Sequence, residues 1–308
     1  MTTPSRTPQD AKRVTKKQRN RAAGRPVQTM SFRAWWQSPI VLGGGAAVII
    51  VIAIVVFAVV GSNGSSTNSA GLGAVSSAVV AAVTHPGDSV IASVGTGGQP
   101  GELNRVTGTP ILKSADGRPQ VVYVGAEYCP YCGAERWSIV MAMARFGTFS
   151  NLQEMTSSST DVDPNTNTFT FHGSTYSSSV VDFQPTELED RNEQPFESPS
   201  AQVSQIFTTI DQPPYSASKG GFPFLDIAGR FTLNATSYDP AVLQGLSWAQ
   251  IATDLSDPSS PVAQAIVGNA NYLTAATCTV TGNKPASACS APVIQKIETT
   301  LNAQPPVA

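Results

Sequence analysis

Residues 40–60, IVLGGGAAVIIVIAIVVFAVV, contain no charged side chain. As a helix rising about 1.5 Å per residue, the run is roughly 30 Å long, the thickness of a bilayer's hydrocarbon core. It is apolar on every face, unlike a helix that packs one stripe against a soluble core. Trp35 and Trp36 stand just before it, where interfacial aromatics belong. A cleaved signal peptide carries a shorter apolar region of about 7–15 residues and a small-residue exit. The run therefore predicts a retained transmembrane helix over 40–60 in contact with membrane lipid, and everything else must be arranged around it.

The charges on its two sides set the orientation. Up to residue 39 there are nine Lys/Arg against Asp10 alone, and from residue 61 onward ten basic and twenty acidic residues. By the positive-inside rule the basic tail, 1–39, is cytoplasmic and residues 61–308 are extracytoplasmic. A basic arm can also bind nucleic acid. Beside a membrane span it reads instead as a topology signal and a contact for anionic lipid, so no nucleic-acid partner is expected. The Gly/Ser-rich stretch 61–73 reads as a linker to a domain over 74–308. That placement puts all four cysteines in an oxidising compartment of the cell membrane's outer side.

Within the domain, "AVSSAVVAAVT" (74–84) predicts a short helix ended by Pro86-Gly87. "PILKSADGRPQVVYVGA" (110–126) predicts two strands joined at Asp116-Gly117. Residues 134–146 have apolar groups at Trp137, Ile139, Val140, Met143 and Phe146 near helical spacing, a core stripe. A polar loop (157–168), a strand-like stretch (169–185), an acidic surface excursion (186–200) and a helix (200–210) follow. "GGFPFLDIAGRFTL" (220–233) reads as strand, turn, strand, and the last third as helices opening near Ser247, Pro261 and Ala291. The order predicts a mixed α/β fold, a central mixed sheet with flanking helices, preceded by the single transmembrane helix.

The chemistry concentrates at Cys129-Pro130-Tyr131-Cys132, where a β-branched run meets a helix start. A cysteine there sits among unpaired N–H groups and the positive end of the helix dipole, which favour its thiolate. Pro130 suits the first helical position. Three uses fit the spacing: a redox pair with Cys129 as nucleophile and Cys132 as resolving thiol, half of a zinc site, or a structural bridge. Zinc needs four ligands, and the other candidates are Cys278 and Cys289, with ten residues between them, and His85 and His172, far apart in sequence. A bridge closing so short a loop constrains little of the unfolded chain.

"AEYCPYC" after an apolar strand resembles the active site of the thioredoxin superfamily, and "GFPFLDIAGRF" resembles that fold's cis-proline loop. "VVYVGAEYCPYCGAERW" is similar more narrowly to the thioredoxin-like family called domain of unknown function 929, over roughly residues 75–305. The resemblance implies a thioredoxin-like fold with Cys129 nucleophilic, Cys132 resolving and Pro223 the cis-proline that presents a backbone edge to substrate. Many thioredoxins bury a carboxylate six residues before the nucleophile, where this chain has Tyr123. Glu127 and Glu135 lie nearby and read as solvated surface. The departure tilts the expectation toward oxidant or isomerase use.

Cys278 and Cys289 bracket the turn-rich "TVTGNKPASA" and predict a structural disulfide, with a second redox relay as the alternative. His85 and His172 suit surface or capping roles. Nothing resembles a phosphate loop, a Ser-His-Asp set or a flavin site, so neither cofactor nor metal is expected. The expected function is thiol–disulfide exchange on the thiols or disulfides of exported proteins, with a separate redox partner. A binding module with a permanently oxidised CxxC is the competing class.

Overall fold

A computed structural model describes residues 72–216 and 218–307. The basic tail, the expected span at 40–60 and nearly all of the expected linker lie outside the described residues. Among those described, no helix is long and apolar enough to cross a membrane.

Strand β1 (Gly73–Ala74) is followed by helices α1 (Ser77–Thr84) and α2 (Asp88–Val94), then by β2 (Asn104–Arg105). Ser76 caps α1 by accepting the Val79 N–H, and Pro86-Gly87 ends it as expected. The chain re-enters a helix immediately afterwards, because Asp88 occupies the first turn where a carboxylate complements the dipole.

β3 (Gln120–Gly125) is buried at all its positions. In the five-stranded sheet the order is β2-β10-β9-β3-β8, with β8 (Asp182–Glu187), β9 (Phe224–Ile227) and β10 (Phe231–Leu233). β8 lies parallel to β3 and β9 antiparallel, so the sheet is mixed. Because alternate residues face opposite sides, Val121 and Tyr123 enter one core with α3 (Pro130–Met143), while Val122 and Val124 enter another with α4 (Ala201–Ile210). Coverage on both faces explains why QVVYVG carries no polar alternation. α4 meets the sheet through Val203, Ile206, Phe207 and Ile210, the stripe of an amphipathic helix.

Small antiparallel sheets complete this part: β5 (Gln153–Thr156) joins β1 to β6 (Asn167–Thr170), and β4 (Thr148–Ser150) pairs with β7 (Thr175–Ser177). β6 is bound to α3 by Trp137 Nε1–H donating to Asn167 O at 2.9 Å and Thr168 Oγ1–H donating to Gly133 O at 2.6 Å. The expected stripe of Trp137, Ile139, Val140, Met143 and Phe146 is buried, with Trp137 against Phe169 at 4.3 Å between ring centroids.

The helical third comprises α5 (Trp248–Asp254), α6 (Pro261–Thr281), α7 (Ala286–Cys289) and α8 (Pro292–Ala303). Ser247 and Gln250 form a reciprocal capping box on α5, and Ser260 caps α6 with Pro261 at its first position. α6 is buried almost throughout and packs beside α3, where Ser138 Oγ–H donates to Ile266 O at 3.1 Å.

Three local expectations change. The hairpin at Asp116-Gly117 keeps its turn but has only one bridge, Lys113 to Pro119, because Leu112 N–H bonds instead to Ala228 O near the β9–β10 turn. The strand-like stretch 169–185 divides among β6, β7 and β8, broken at Gly173 (φ +70°) and by a turn in which Ser178 Oγ accepts Val180 and Val181 N–H. The acidic excursion at 186–200 starts later than expected: β8 continues to Glu187, and that carboxylate is fully buried.

Candidate functional site

β3 delivers the chain through Ala126–Tyr128 to the start of α3, where Cys129 is the N-cap residue in extended backbone. Its sulfur accepts the Cys132 N–H at 3.3 Å, and Gly133 N–H closes on Cys129 O at 2.9 Å. Pro130, first in the helix, has no N–H to satisfy. A thiolate at this cap satisfies orphan donors and meets the helix dipole.

Both cysteines carry free thiols. Cys129 is 7% exposed and Cys132 0%, so of the two only Cys129 can be reached from outside. Burial pushes the Cys129 thiol up, but hydrogen bonds from the Cys132 thiol and amide, with the Arg136 charge, outweigh it and lower it overall; Asp161 opposes them. Cys132 goes the other way, raised by burial and by the neighbouring Cys129. The pair is electrostatically unequal.

Ala126, Tyr128, Tyr131 and Phe222 form an apolar collar around the two sulfurs. Phe222 precedes Pro223, and the Phe222–Pro223 peptide is cis, at the mouth of β9. The fold thus brings together Cys129, Cys132 and the Pro223 loop.

Beneath the cysteines lies a layer of charge that sequence reasoning missed. Arg136 donates through Nε to Glu187 Oε1 at 2.9 Å, and through Nη2 to Glu187 Oε2 at 2.6 Å and Ala126 O at 2.8 Å. Both side chains are 0% exposed. Glu187 N–H donates to Glu197 Oε2 at 2.8 Å, and Glu197 Oε1 meets His172 Nδ1 at 2.7 Å. His172 is therefore joined to this layer rather than standing alone, whereas His85 caps the end of α1 beside Thr84. One signal for Arg136 was available: it follows Cys132 by four residues and so shares its helix face.

Glu127 and Glu135, expected on the surface, are buried. Glu127 Oε1 accepts the Thr170 hydroxyl at 2.6 Å. Glu135 accepts from Asn269 Nδ2 at 2.7 Å, Ser237 N–H at 3.3 Å and Thr236 Oγ1 at 3.4 Å. Burial, only partly offset by these donors, pushes its carboxyl up to about 7. The physical reason is that α3 is enclosed by the sheet, β6 and α6, leaving no face of it for solvent.

Cys278 and Cys289 are bonded to each other, with Cα atoms 5.7 Å apart and both residues buried. They are thus not available as a second ligand pair for Cys129 and Cys132, and among the described residues no cluster of His, Cys, Asp and Glu could hold a metal ion. Ile266 lies beside Ser138 and Thr274 beside Arg145, just past α3. Cys278 is further along α6, so the disulfide is separated from Cys129 by the length of α3, about 20 Å.

Residues 109–205 match the model of a family described as Domain of unknown function (DUF929). The match takes in β3, both thiols, α3 and Glu187, and leaves Pro223 and the disulfide outside. No curated protein and no solved structure matches the chain.

Proposed function

We propose that the chain is a membrane-anchored thiol–disulfide oxidoreductase of thioredoxin-like fold, acting outside the cytoplasm on exported proteins. The observation that carries this reading is the inequality of the two thiols. Cys129 caps α3, is the more accessible and is held toward thiolate, while Cys132 is sealed behind it. A β3–α3 junction bearing this pair, with the Pro223 loop opening β9 beside it, supports the thioredoxin-like assignment. The span at 40–60 and the charge asymmetry around it support the location.

In the oxidising direction a substrate thiolate attacks Cys129 Sγ of the Cys129–Cys132 disulfide and Cys132 leaves as thiolate. A second substrate thiolate then attacks the substrate sulfur of the mixed disulfide, releasing Cys129 and a substrate disulfide. Two electrons pass from substrate to the cysteine pair, which an external redox partner must remove. A thiolate-favoured Cys129 stabilises the reduced form and so supports oxidant or isomerase use over reduction. The low exposure of both sulfurs favours a second reading, a binding module whose CxxC remains a structural bridge.

Trapping separates the two. Cys132→Ala, expressed in full-length protein, is expected to accumulate dithiothreitol-sensitive adducts through Cys129, and Cys129→Ser/Cys132→Ala none. Equal, background-level adducts in both variants favour the binding module.

A further inference from the structure

The Tyr123 hydroxyl is buried and has no hydrogen-bond partner among the described residues. Its ring lies along β3 toward the cysteines: a Cβ at Gly125 would stand 2.1 Å from Oη, so only glycine there leaves the hydroxyl its place. Phe171 packs edge-on to the ring at 5.2 Å and fixes it. The hydroxyl thus lies against Gly125, whose neighbour Ala126 packs with Cys129 and Cys132, and the charges that reach it are those of Arg136, Cys132 and Cys129 on α3 and Glu187 on β8. The Glu127 charge bears in turn on Glu187.

Why keep an unpartnered donor there? Exchange requires Cys132 to exist as a thiolate whenever its bond to Cys129 forms or breaks. Water cannot solvate that charge at a 0% exposed sulfur. The Ala126 N–H is one donor to it. Arg136 has Nε and Nη2 committed to Glu187 and Ala126 O, and Nη1 directed at Met155 Sδ at 3.9 Å. The Tyr123 O–H is a donor with no partner of its own among the described residues, and its pairing waits for a charge that appears only during reaction.

We infer that the Tyr123 hydroxyl stabilises Cys132 as a thiolate in the step that makes or breaks the Cys129–Cys132 bond, with Gly125 holding open the space it needs. The inference rests on the exchange activity proposed above. In the closing direction, Cys132 thiolate attacks Cys129 Sγ of a mixed disulfide, the Cys129–Cys132 bond forms, and the bound thiol departs as thiolate. The departing thiolate takes up from water a proton equivalent to the one Cys132 released, and Tyr123 keeps its own. The reverse direction uses the same donor for Cys132 as leaving group.

The test uses full-length wild type and Tyr123→Phe, reduced and then mixed with 5,5′-dithiobis(2-nitrobenzoate), which releases one coloured thiolate when Cys129 attacks and a second when Cys132 closes the disulfide. Tyr123→Phe is expected to slow the second release roughly tenfold near neutral pH, the loss of one hydrogen bond to a charged group. Its pH midpoint should rise by about one unit, so that the deficit closes in alkali, while the first release changes less than about twofold. Thermal stability should not fall, because the deleted hydroxyl has no partner to lose. An unchanged second release, a deficit equal at every pH, a parallel loss in the first release, or a lowered melting temperature each overturns the role. A wild-type protein that never gives the second release overturns the exchange activity itself, a result distinct from these.

Discussion

Glu135→Gln isolates the effect of a carboxyl enclosed within the helical side of the core. Glu135 is fully buried, and among the described residues no cation faces it: its neighbours are the amide of Asn269, the Ser237 N–H, the Thr236 hydroxyl and the phenol of Tyr238. Its carboxyl is raised from 4.5 to about 7, and at about 1.36 kcal/mol per unit the difference is on the order of 3 kcal/mol. In the window between those two values the folded protein holds a proton that the unfolded chain has lost. Its contribution is therefore complete below about pH 4.5, declines as pH rises, and is gone above about pH 7. Glutamine cannot ionise, so the mutant-minus-wild-type stability should shift in the mutant's favour by about 3 kcal/mol between roughly pH 4.5 and 8. Asp211 and Asp226, each raised to about 6, and Glu187 slope the same way but are present in both proteins and cancel. Urea titrations across this range, followed by tryptophan fluorescence and extrapolated linearly, read the difference directly. Parallel pH curves for the two proteins would refute the reasoning.

Arg136→Met alone strands a buried carboxylate at Glu187 and should cost about 3–5 kcal/mol, while Arg136→Met with Glu187→Leu recovers much of it; urea midpoints check this, and ultraviolet thiolate absorbance should show the Cys129 pKa rising in both variants. Replacing Cys278 and Cys289 by serine should lower stability by roughly 2–4 kcal/mol with exchange per folded molecule near wild type; loss of turnover at unchanged stability would point to a relay instead. Protease added to spheroplasts should digest residues 61–308 and spare the basic tail, and protection of the C-terminal domain would reverse the orientation read from residues 1–60.

What could be read from the chain depended on whether the cause was local. Ser247 and Pro261 announce helix starts because capping is decided within one turn, and both sit at those starts. Likewise Cys129-Pro130 marks the opening of α3, and the mixed sheet with helices on both faces follows from the order of apolar segments. The buried charges were not legible, since Glu127, Glu135 and Glu187 look like surface residues until their donors are known. Those donors come from far along the chain: Thr170 for Glu127, Asn269 and Ser237 for Glu135, Arg136 for Glu187. The Asp116-Gly117 turn was legible, but its outer strand was not, because Ala228 competes for the Leu112 amide.

The reduction potential of the Cys129–Cys132 pair tests the central claim most directly. Full-length protein equilibrated against glutathione redox buffers, alkylated and read by peptide mass at those two residues, is expected to titrate between roughly −120 and −270 mV, the span of exchange enzymes. A pair that stays oxidised below about −300 mV behaves as an inert structural bridge and contradicts the account.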